Sequence, residues 1–335
     1  MTLHRNVPLK SYTTFRIGGE AAYFTDVCSR SELGEAVSFA KKEKLPLFVL
    51  GGGSNLLVSD SGFPGLVVRM SFSGISFKER DGSVEATAAA GESWDDFVSE
   101  SVKRNLWGLE NLSGIPGTVG ATPIQNVGAY GVEVKDVLSS VELFDTETLD
   151  VRNMENQECF FGYRDSFFKR EEGKRYIVTA VSFRLSKTPA PILSYRDLMN
   201  RFSGALPALS EIRDAVLSIR SKKFPDLSHF GTAGSFFKNP ILPKGAYEKL
   251  KPRFPDMPAF PADGGVKISL AYLLDALSLK GEREGDVGTF ERQPLVIVNF
   301  ADASAADVDA FAKKIEAIVK DSTGIVLERE VRSLP

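Results

Sequence analysis

Two cysteines and two histidines are all that this chain of 335 residues carries. Cys28 and Cys159 stand far apart, with no Cys-x-x-Cys spacing and no histidine company. That excludes a disulfide framework and a zinc site, so both read as small buried residues and no metal is expected. His4 and His229 read as surface or loop positions, which leaves no base for a serine triad. A surplus of positive charge is also missing: 41 Lys and Arg face 44 Asp and Glu, for a net charge of −3. Binding to nucleic acid or to an acidic membrane through bulk charge is therefore not expected. The N-terminus, Met1-Thr-Leu-His-Arg-Asn-Val-Pro8, lacks an apolar core of signal-peptide length, so the cytoplasm is the expected location. No Gly-Lys-Ser/Thr occurs, which rules out a Walker loop.

What the chain does have is glycine in two clusters. Residues 111–132, Asn-Leu-Ser-Gly-Ile-Pro-Gly-Thr-Val-Gly-Ala-Thr-Pro-Ile-Gln-Asn-Val-Gly-Ala-Tyr-Gly-Val, form an uncharged run with five glycines and two prolines. It is the only uncharged stretch long enough to span a bilayer, and its Gly and Pro content leaves no membrane span to expect. Gly and Pro rule out a regular helix or strand from Gly114 to Gly131, so many backbone N–H groups need an acceptor outside any ladder. A nest for phosphate oxygens and a long buried Ω-loop both answer that need. The second cluster tilts the choice toward a nest. Leu45-Pro-Leu-Phe-Val-Leu50 reads as a buried strand that runs into Gly51-Gly-Gly-Ser-Asn55, and Leu56-Leu-Val58 resumes as strand. Neither this cluster nor Gly114-x-x-Gly117-x-x-Gly120 has Rossmann spacing. Two such cradles point to one extended dinucleotide, and to a flavin before a mononucleotide.

The remaining pattern is α+β. Ser31 is placed to cap a helix whose Leu33, Ala36, Val37 and Ala40 share one face, and Ser93 with Asp96 spells a capping box before Trp94, Phe97, Val98 and Val102. Strands are expected at 65–70, 84–90, 137–145 and 176–185. A connection with a short helix follows from Ser186 to Gly204, with a domain boundary near its end. Beyond it, Ser210, Ser269 and Ser304 each stand before an apolar helical stripe, a strand is expected at 295–299, and the chain closes on a strand from Ile325 to Arg332.

Three segments carry further chemistry. Phe230-Gly-Thr-Ala-Gly-Ser-Phe-Phe-Lys-Asn-Pro240 holds Ser235, but Phe237 breaks the Gly-x-Ser-x-Gly elbow of a hydrolase. Ser235 is then a turn-capping serine or, beside Lys238, a proton donor. Alternation in the last strand puts Val326, Glu328, Glu330 and Arg332 on one face, either a solvated face or a functional acid. Arg164, flanked by aromatics in Phe161-Gly-Tyr-Arg-Asp-Ser-Phe167, is a stacked cation or a substrate clamp.

Taken in order, these blocks resemble the bacterial UDP-N-acetylenolpyruvoylglucosamine reductases, the MurB family, in its longer type I form. The resemblance covers nearly the whole chain and rests on Thr14-Phe-Arg-Ile-Gly-Gly19, Leu50-Gly-Gly-Gly-Ser-Asn55, Pro123-Ile-Gln-Asn-Val-Gly-Ala-Tyr-Gly131, Gly162-Tyr-Arg-Asp-Ser166, Gly231-Thr-Ala-Gly-Ser-Phe-Phe-Lys-Asn-Pro240 and Leu327-Glu-Arg-Glu-Val-Arg332. It implies an FAD-binding fold of the vanillyl-alcohol-oxidase/PCMH type over 1–203, with subdomains of about 1–68 and 69–203, and a substrate-binding α+β domain over 204–335 that ends in the catalytic strand. FAD, held without a covalent bond, would lie against Gly51, Gly52, Gly53, Ser54 and Asn55, then Gly114, Gly117, Thr118 and Gly120, then Gln125, Asn126, Gly128, Ala129, Tyr130 and Gly131. A covalent flavin is not expected, because both histidines and both cysteines lie outside these loops.

The resemblance also implies the reaction. NADPH reduces the flavin and leaves, and the enolpyruvyl ether of UDP-N-acetylglucosamine takes hydride at its methylene carbon to give UDP-N-acetylmuramate for peptidoglycan. Arg164 and Glu330 match the positions that hold the substrate carboxylate, and Ser235 matches the proton donor. Lys238 and Lys267 are the candidates for polarising that serine. Tyr195 matches the mobile tyrosine, Lys223 the diphosphate lysine, and Asn239 another substrate contact; Lys267 is taken with them. A monomer with small-molecule substrates is expected. Two places depart from the family pattern: Phe290 and Arg292 stand where histidine and an amide or imidazole are usual, and Thr13 stands for asparagine.

Overall fold

The apolar run after Pro46 becomes the strand Leu47–Leu50, which pairs in parallel with Phe63–Met70, Leu47 beside Leu66 and Leu50 beside Arg69. In the computed structural model, which describes residues 1–204 and 206–335, these two strands continue through Glu20–Val27 to His4–Pro8 as a four-stranded sheet. Helix α1, Arg30–Lys42, buries Leu33, Ala36, Val37 and Ala40, the stripe expected from the sequence. Its cap is Ser29, not Ser31. Ser29 is extended and accepts from the Glu32 N–H at 3.3 Å, while Ser31 sits inside the first turn where it has no free amide to satisfy.

A second, antiparallel sheet runs Val151–Glu155, Leu138–Asp145, Tyr176–Ser186, Ser83–Ala89, Ile75–Arg80. Alternation along Tyr176–Ser186 sends Ile177, Thr179, Val181, Phe183 and Leu185 into the core. Helix α2, Trp94–Lys103, lies against that face, with the Phe97 and Trp94 rings 5.1 and 5.8 Å from Phe183. Of its expected capping box the Ser93 half is formed, the hydroxyl accepting from Asp96 N–H at 3.4 Å. The connection after the sheet carries the short helix α3, Arg196–Arg201, and then α4, Leu209–Lys223. Ser210 lies within α4 rather than ahead of it; the Glu211 carboxylate takes the Ala208 N–H at 2.7 Å and does the capping instead.

The remaining residues build their own core around three helices, α5 (Lys244–Leu250), α6 (Leu270–Ala276) and α7 (Ala305–Thr323). Ser269 caps α6, and Ser304 with Asp307 forms a complete box on α7, which Gly324 ends at φ +75°. One sheet runs Gly231–Ser235, Gln293–Asn299, Val287–Phe290, Arg283–Glu284, and a smaller one Ile241–Leu242, Gly265–Ile268, Ala259–Ala262.

Contacts divide the chain into two compact units. The first is Met1–Val7, Ala21–Gly52 and Pro64–Arg220, and the second is Pro8–Glu20, Gly53–Phe63 and Ser221–Pro335. The division therefore falls inside α4, not near residue 203, and two early segments belong with the C-terminal third. The terminal strand also differs from the expectation. Residues 325–331 form no strand, with a single bridge from Arg329 to Phe237 and a bend at Val331, and the ladder proper is Arg332–Leu334 in parallel with Leu56–Val58. The alternation survives, since Ile325, Leu327 and Val331 are buried, but no single neighbouring strand accompanies the whole stretch. Cys159 is buried as expected, whereas Cys28 is exposed at the end of a strand. Both histidines are exposed. Among the described residues no helix is long and apolar enough to cross a membrane, and no cluster of possible metal ligands occurs.

The caps give a direct check. Ser29→Ala and Ser304→Ala should each cost about 1 kcal/mol, whereas Ser31→Ala and Ser210→Ala should stay within about 0.5 kcal/mol of the parent. Urea unfolding followed by circular dichroism measures all four; a Ser210→Ala loss as large as that of Ser304→Ala would contradict the assigned helix start.

Candidate active site

In the first unit the two glycine clusters meet. A Cβ on Gly52 would stand 2.8 Å from Gly117 Cα, and one on Gly51 only 2.5 Å from Thr118 Oγ1, so main chain packs on main chain with no room for a side chain. Thr118 bridges Ser93, flanked by Trp94 N–H to Gly117 O at 3.0 Å and Val119 N–H to Glu92 O at 2.9 Å. In that pattern the Thr118 N–H itself points away from the ladder. An outward-facing amide beside a glycine backbone is a donor of the kind that can meet a phosphate oxygen. The same loop is anchored at Gly114, whose N–H donates to Asp95 Oδ1 at 2.5 Å and whose carbonyl accepts from Arg220 Nε at 2.9 Å.

The segment Gln125–Gly131 is tied to the turn that carries Arg164. Asn126, fully buried, donates from Nδ2 to Gly162 O and to Glu133 Oε2, each at 2.9 Å, and its Oδ1 accepts from Lys135 N–H. Ser166 Oγ donates to Ile124 O at 2.6 Å. Arg164 returns the connection, with Nη2 donating to Gly128 O at 2.6 Å and Nη1 to Asn126 O at 3.4 Å. Its φ of +53° is uncommon for a side chain of this size and is held by the reciprocal Gly162 and Asp165 hydrogen bonds.

Tyr130 and Gly131, at φ +51° and +87°, form the two-residue turn between Gly128–Ala129 and Val132–Glu133. The Tyr130 ring meets that of Tyr195 edge-on, centroids 5.0 Å apart. Burial pushes the Tyr130 hydroxyl up to about 12, only partly offset by the Arg220 guanidinium it meets. Burial likewise lowers Arg220 from the usual arginine range. Burial opposes ionisation of Asp95, but its bidentate pair with Arg213, at 2.7 and 2.8 Å, and the Gly114 N–H hold its carboxyl below the usual range. Asn111, also buried, ties Tyr130 O and Ile192 O together from Nδ2 at 2.8 Å each, which fixes the root of the segment bearing Tyr195. Sequence reasoning passed over Arg220, Arg213, Asp95 and Asn111. A signal existed for the arginines: they follow Val216 and Leu209 by four residues, next to the apolar stripe of α4.

In the second unit Ser235 ends the strand Gly231–Ser235, paired with Val296. Phe236 O, the next carbonyl, accepts from Glu330 N–H at 2.8 Å, and Lys238 N–H donates to Glu328 O at 2.9 Å, so Ser235 and Glu330 are brought onto adjacent segments. Asn55 also meets this segment: its Nδ2 donates to Glu330 O at 3.2 Å, and its own carbonyl accepts from Arg332 N–H at 3.2 Å. Gly53 opens that loop at φ +61°, where a Cβ would fall 2.0 Å from Tyr12 O. Lys238 is ion-paired with Glu328. Asn239 Oδ1 accepts from Leu270 N–H at 2.9 Å, at the start of α6. Lys267 lies on Gly265–Ile268 opposite Ile241 and Phe260, and Lys223 is the last residue of α4. Arg329 is held by Asp309 and Glu316 of α7, at 2.6 and 2.7 Å. Phe290 is buried under the Arg292 guanidinium, and Thr13 is buried with Oγ1 donating to Ile17 O.

Comparison with known proteins adds the following. A family model described as an FAD binding domain matches residues 21–148, and one described as the C-terminal domain of UDP-N-acetylenolpyruvoylglucosamine reductase matches residues 226–334. The UDP-N-acetylenolpyruvoylglucosamine reductase of Pseudomonas putida is 43% identical, over 97% of this chain and 96% of its own. That of Chromobacterium violaceum is 42% identical, over 97% of each. The crystal structure of the reductase from Thermus caldophilus aligns over the whole of both chains with a TM-score of 0.70 at 29% identity.

The Gly52 contact predicts an outcome for the protein without cofactor as well as with it. Gly52→Val should destabilise cofactor-free protein by about 1–3 kcal/mol through overpacking against Gly117, and should lower cofactor content in the same preparation. Differential scanning calorimetry before and after cofactor removal tests it; an unchanged melt of the stripped variant would show that the glycine serves the ligand alone.

Proposed function

Because the chain belongs to the family of UDP-N-acetylenolpyruvoylglucosamine reductases, FAD-binding oxidoreductases that are UDP-N-acetylmuramate dehydrogenases, we propose that it works in the cytoplasm, with NADPH as its hydride donor, to make UDP-N-acetylmuramate for peptidoglycan. The observation that carries the reading is the pairing of the Ser235 and Glu330 segments through the Glu330 N–H to Phe236 O bond at 2.8 Å. A hydroxyl and a carboxylate on neighbouring segments can serve one small substrate group.

The glycine loops, by their lack of side chains and the outward Thr118 N–H, fit the pyrophosphate of FAD, with Gly51, Gly52, Gly117 and Thr118 as its holders in the first unit. When bound there, FAD would supply hydride chemistry toward the methylene carbon of the enolpyruvyl ether, with NADPH as the proposed donor. Every other requirement falls on the side chains. As hydride arrives, negative charge spreads from the adjacent carbon into the substrate carboxylate. Glu330 orients that carboxylate in its enol-like form, and Arg164, fixed by Gly128 O and Asn126 O, supplies positive charge to the same end. Ser235 then gives its hydroxyl proton to the carbon that bears the ether oxygen. A serine hydroxyl needs a cation to make it acidic enough. Lys238, which is ion-paired with Glu328, and Lys267 are the two lysines proposed for that task. Lys223, Asn239 and Tyr195, the last packed on Tyr130, are assigned to the UDP portion.

Two sets of variants test the assignment. Rapid mixing at the flavin absorbance separates reduction by NADPH from reoxidation by the enolpyruvyl substrate. Ser235→Ala should reduce near the parent rate and reoxidise slower by roughly 10² to 10⁴, the usual worth of a general acid, and Glu330→Gln should also impair reoxidation alone. A Ser235→Ala enzyme reoxidised at the parent rate would sink the proton-donor role.

Tyr195→Phe and Lys223→Ala should weaken substrate binding, the lysine by about 1.5–3 kcal/mol for a charge-assisted contact to diphosphate. Titration of the oxidised enzyme with UDP-N-acetylglucosamine enolpyruvate measures this; equal damage to NADPH-driven reduction would count against the assignment to the UDP portion.

A further inference from the structure

Glu330 lies in a stretch that no full ladder supports. From Ile325 to Val331 the chain has one bridge, Phe237 to Arg329, and a bend at Val331. On one edge its main chain meets Phe236–Lys238, through Glu330 N–H to Phe236 O at 2.8 Å and Lys238 N–H to Glu328 O at 2.9 Å. The regular ladder begins only at Arg332, opposite Leu56. The residue that fills the gap is Asn55. Its Nδ2 donates to Glu330 O at 3.2 Å, and its carbonyl accepts from Arg332 N–H at 3.2 Å. The peptide groups on both sides of Glu330 are thus held, one by the segment that follows Ser235 and one by the Asn55 side chain.

We propose that Asn55 is a positioning residue for Glu330: its side-chain amide locks the Glu330 carbonyl, and so sets the carboxylate against Ser235. Holding a phosphate would require only the main-chain N–H groups of the loop, and an asparagine amide turned to Glu330 O goes beyond that need. The residue type follows from the geometry. A side chain of this length must present a donor to a carbonyl; aspartate has the same shape and no donor, and serine is too short to span the same distance. The effect on chemistry follows from the tolerance of reacting groups to displacement, where about 1 Å of misplacement costs about 10²-fold in rate.

The inference rests on the proposed role of Glu330, and the test separates the two. Asn55→Leu and Asn55→Ser both remove the bond, the first at similar volume and the second with less risk to packing, and Asn55→Gln retains an amide. Each is prepared with saturating FAD, and two quantities are read. The first is the ratio of the reoxidation rate by the enolpyruvyl substrate to the reduction rate by NADPH, expected to fall roughly 10- to 100-fold in Leu or Ser and to recover in part in Gln. The second is amide hydrogen exchange over residues 325–331 without substrate, expected to rise in Leu and Ser because the Glu330 N–H to Phe236 O bond loosens. Either of the two variants that folds decides the matter. An unchanged ratio with unchanged exchange overturns the proposal and leaves Asn55 a cofactor-loop residue, and so does an equal loss in both half-reactions. Parent protein that is never reoxidised by the substrate would refute the functional reading instead, and the exchange comparison would then judge the positioning by itself.

Discussion

The second unit depends on hydrogen bonds to main-chain carbonyls that stitch three sequence-distant segments into one body. Thr14 and Thr232 exchange two of them, Thr232 N–H to Thr14 O at 3.0 Å and Thr14 Oγ1 to Thr232 O at 2.6 Å. Asn299 Nδ2 adds a bond to Phe15 O, and Gly231 must lack a side chain because a Cβ there would stand 2.2 Å from that same carbonyl. Leu56–Val58 then aligns with Arg332–Leu334 in parallel. Without these ties the segment that bears Glu330 would have only the Phe236–Lys238 edge to lean on. The strand that bears Ser235 would likewise lack the N-terminal residues against which it is set. Order at the site is therefore imposed by pieces of chain that a linear division into domains would place elsewhere.

The glycine clusters show how one residue type answers two demands. Gly52 and Gly117 are small because their backbones touch, a requirement of packing that exists before any ligand arrives. The same close packing leaves the Thr118 N–H turned outward, a donor of the kind an anion can accept from. Arg220 extends the logic. It holds Gly114 O and meets the Tyr130 hydroxyl, so a buried cation keeps the glycine loop and the aromatic pair Tyr130–Tyr195 in one network within the first unit.

The sequence by itself determined where periodic elements lie and which residue types cluster. The stripes of α1, α2 and α7, and the alternation from Tyr176 to Ser186, follow from burial at a fixed period and are local properties of the chain. The ordered blocks from Thr14 to Arg332 were sufficient to indicate the family, because each preserves a short run whose chemistry is set by neighbours in sequence. Helix starts were less legible: several serines stand near the start of α1 and α4, and the one whose backbone turns extended was decided by the chain entering it, as at Ser29, or was replaced by a carboxylate, as Glu211. Tertiary structure alone decided the partners of the last segment, the splitting of the chain within α4, and the use of Asn55, Asn111 and Arg220. The physical reason is the same in each case. These are hydrogen bonds between groups separated by tens to hundreds of residues, and a single sequence carries no period or spacing that records which distant carbonyl a given amide or guanidinium will meet.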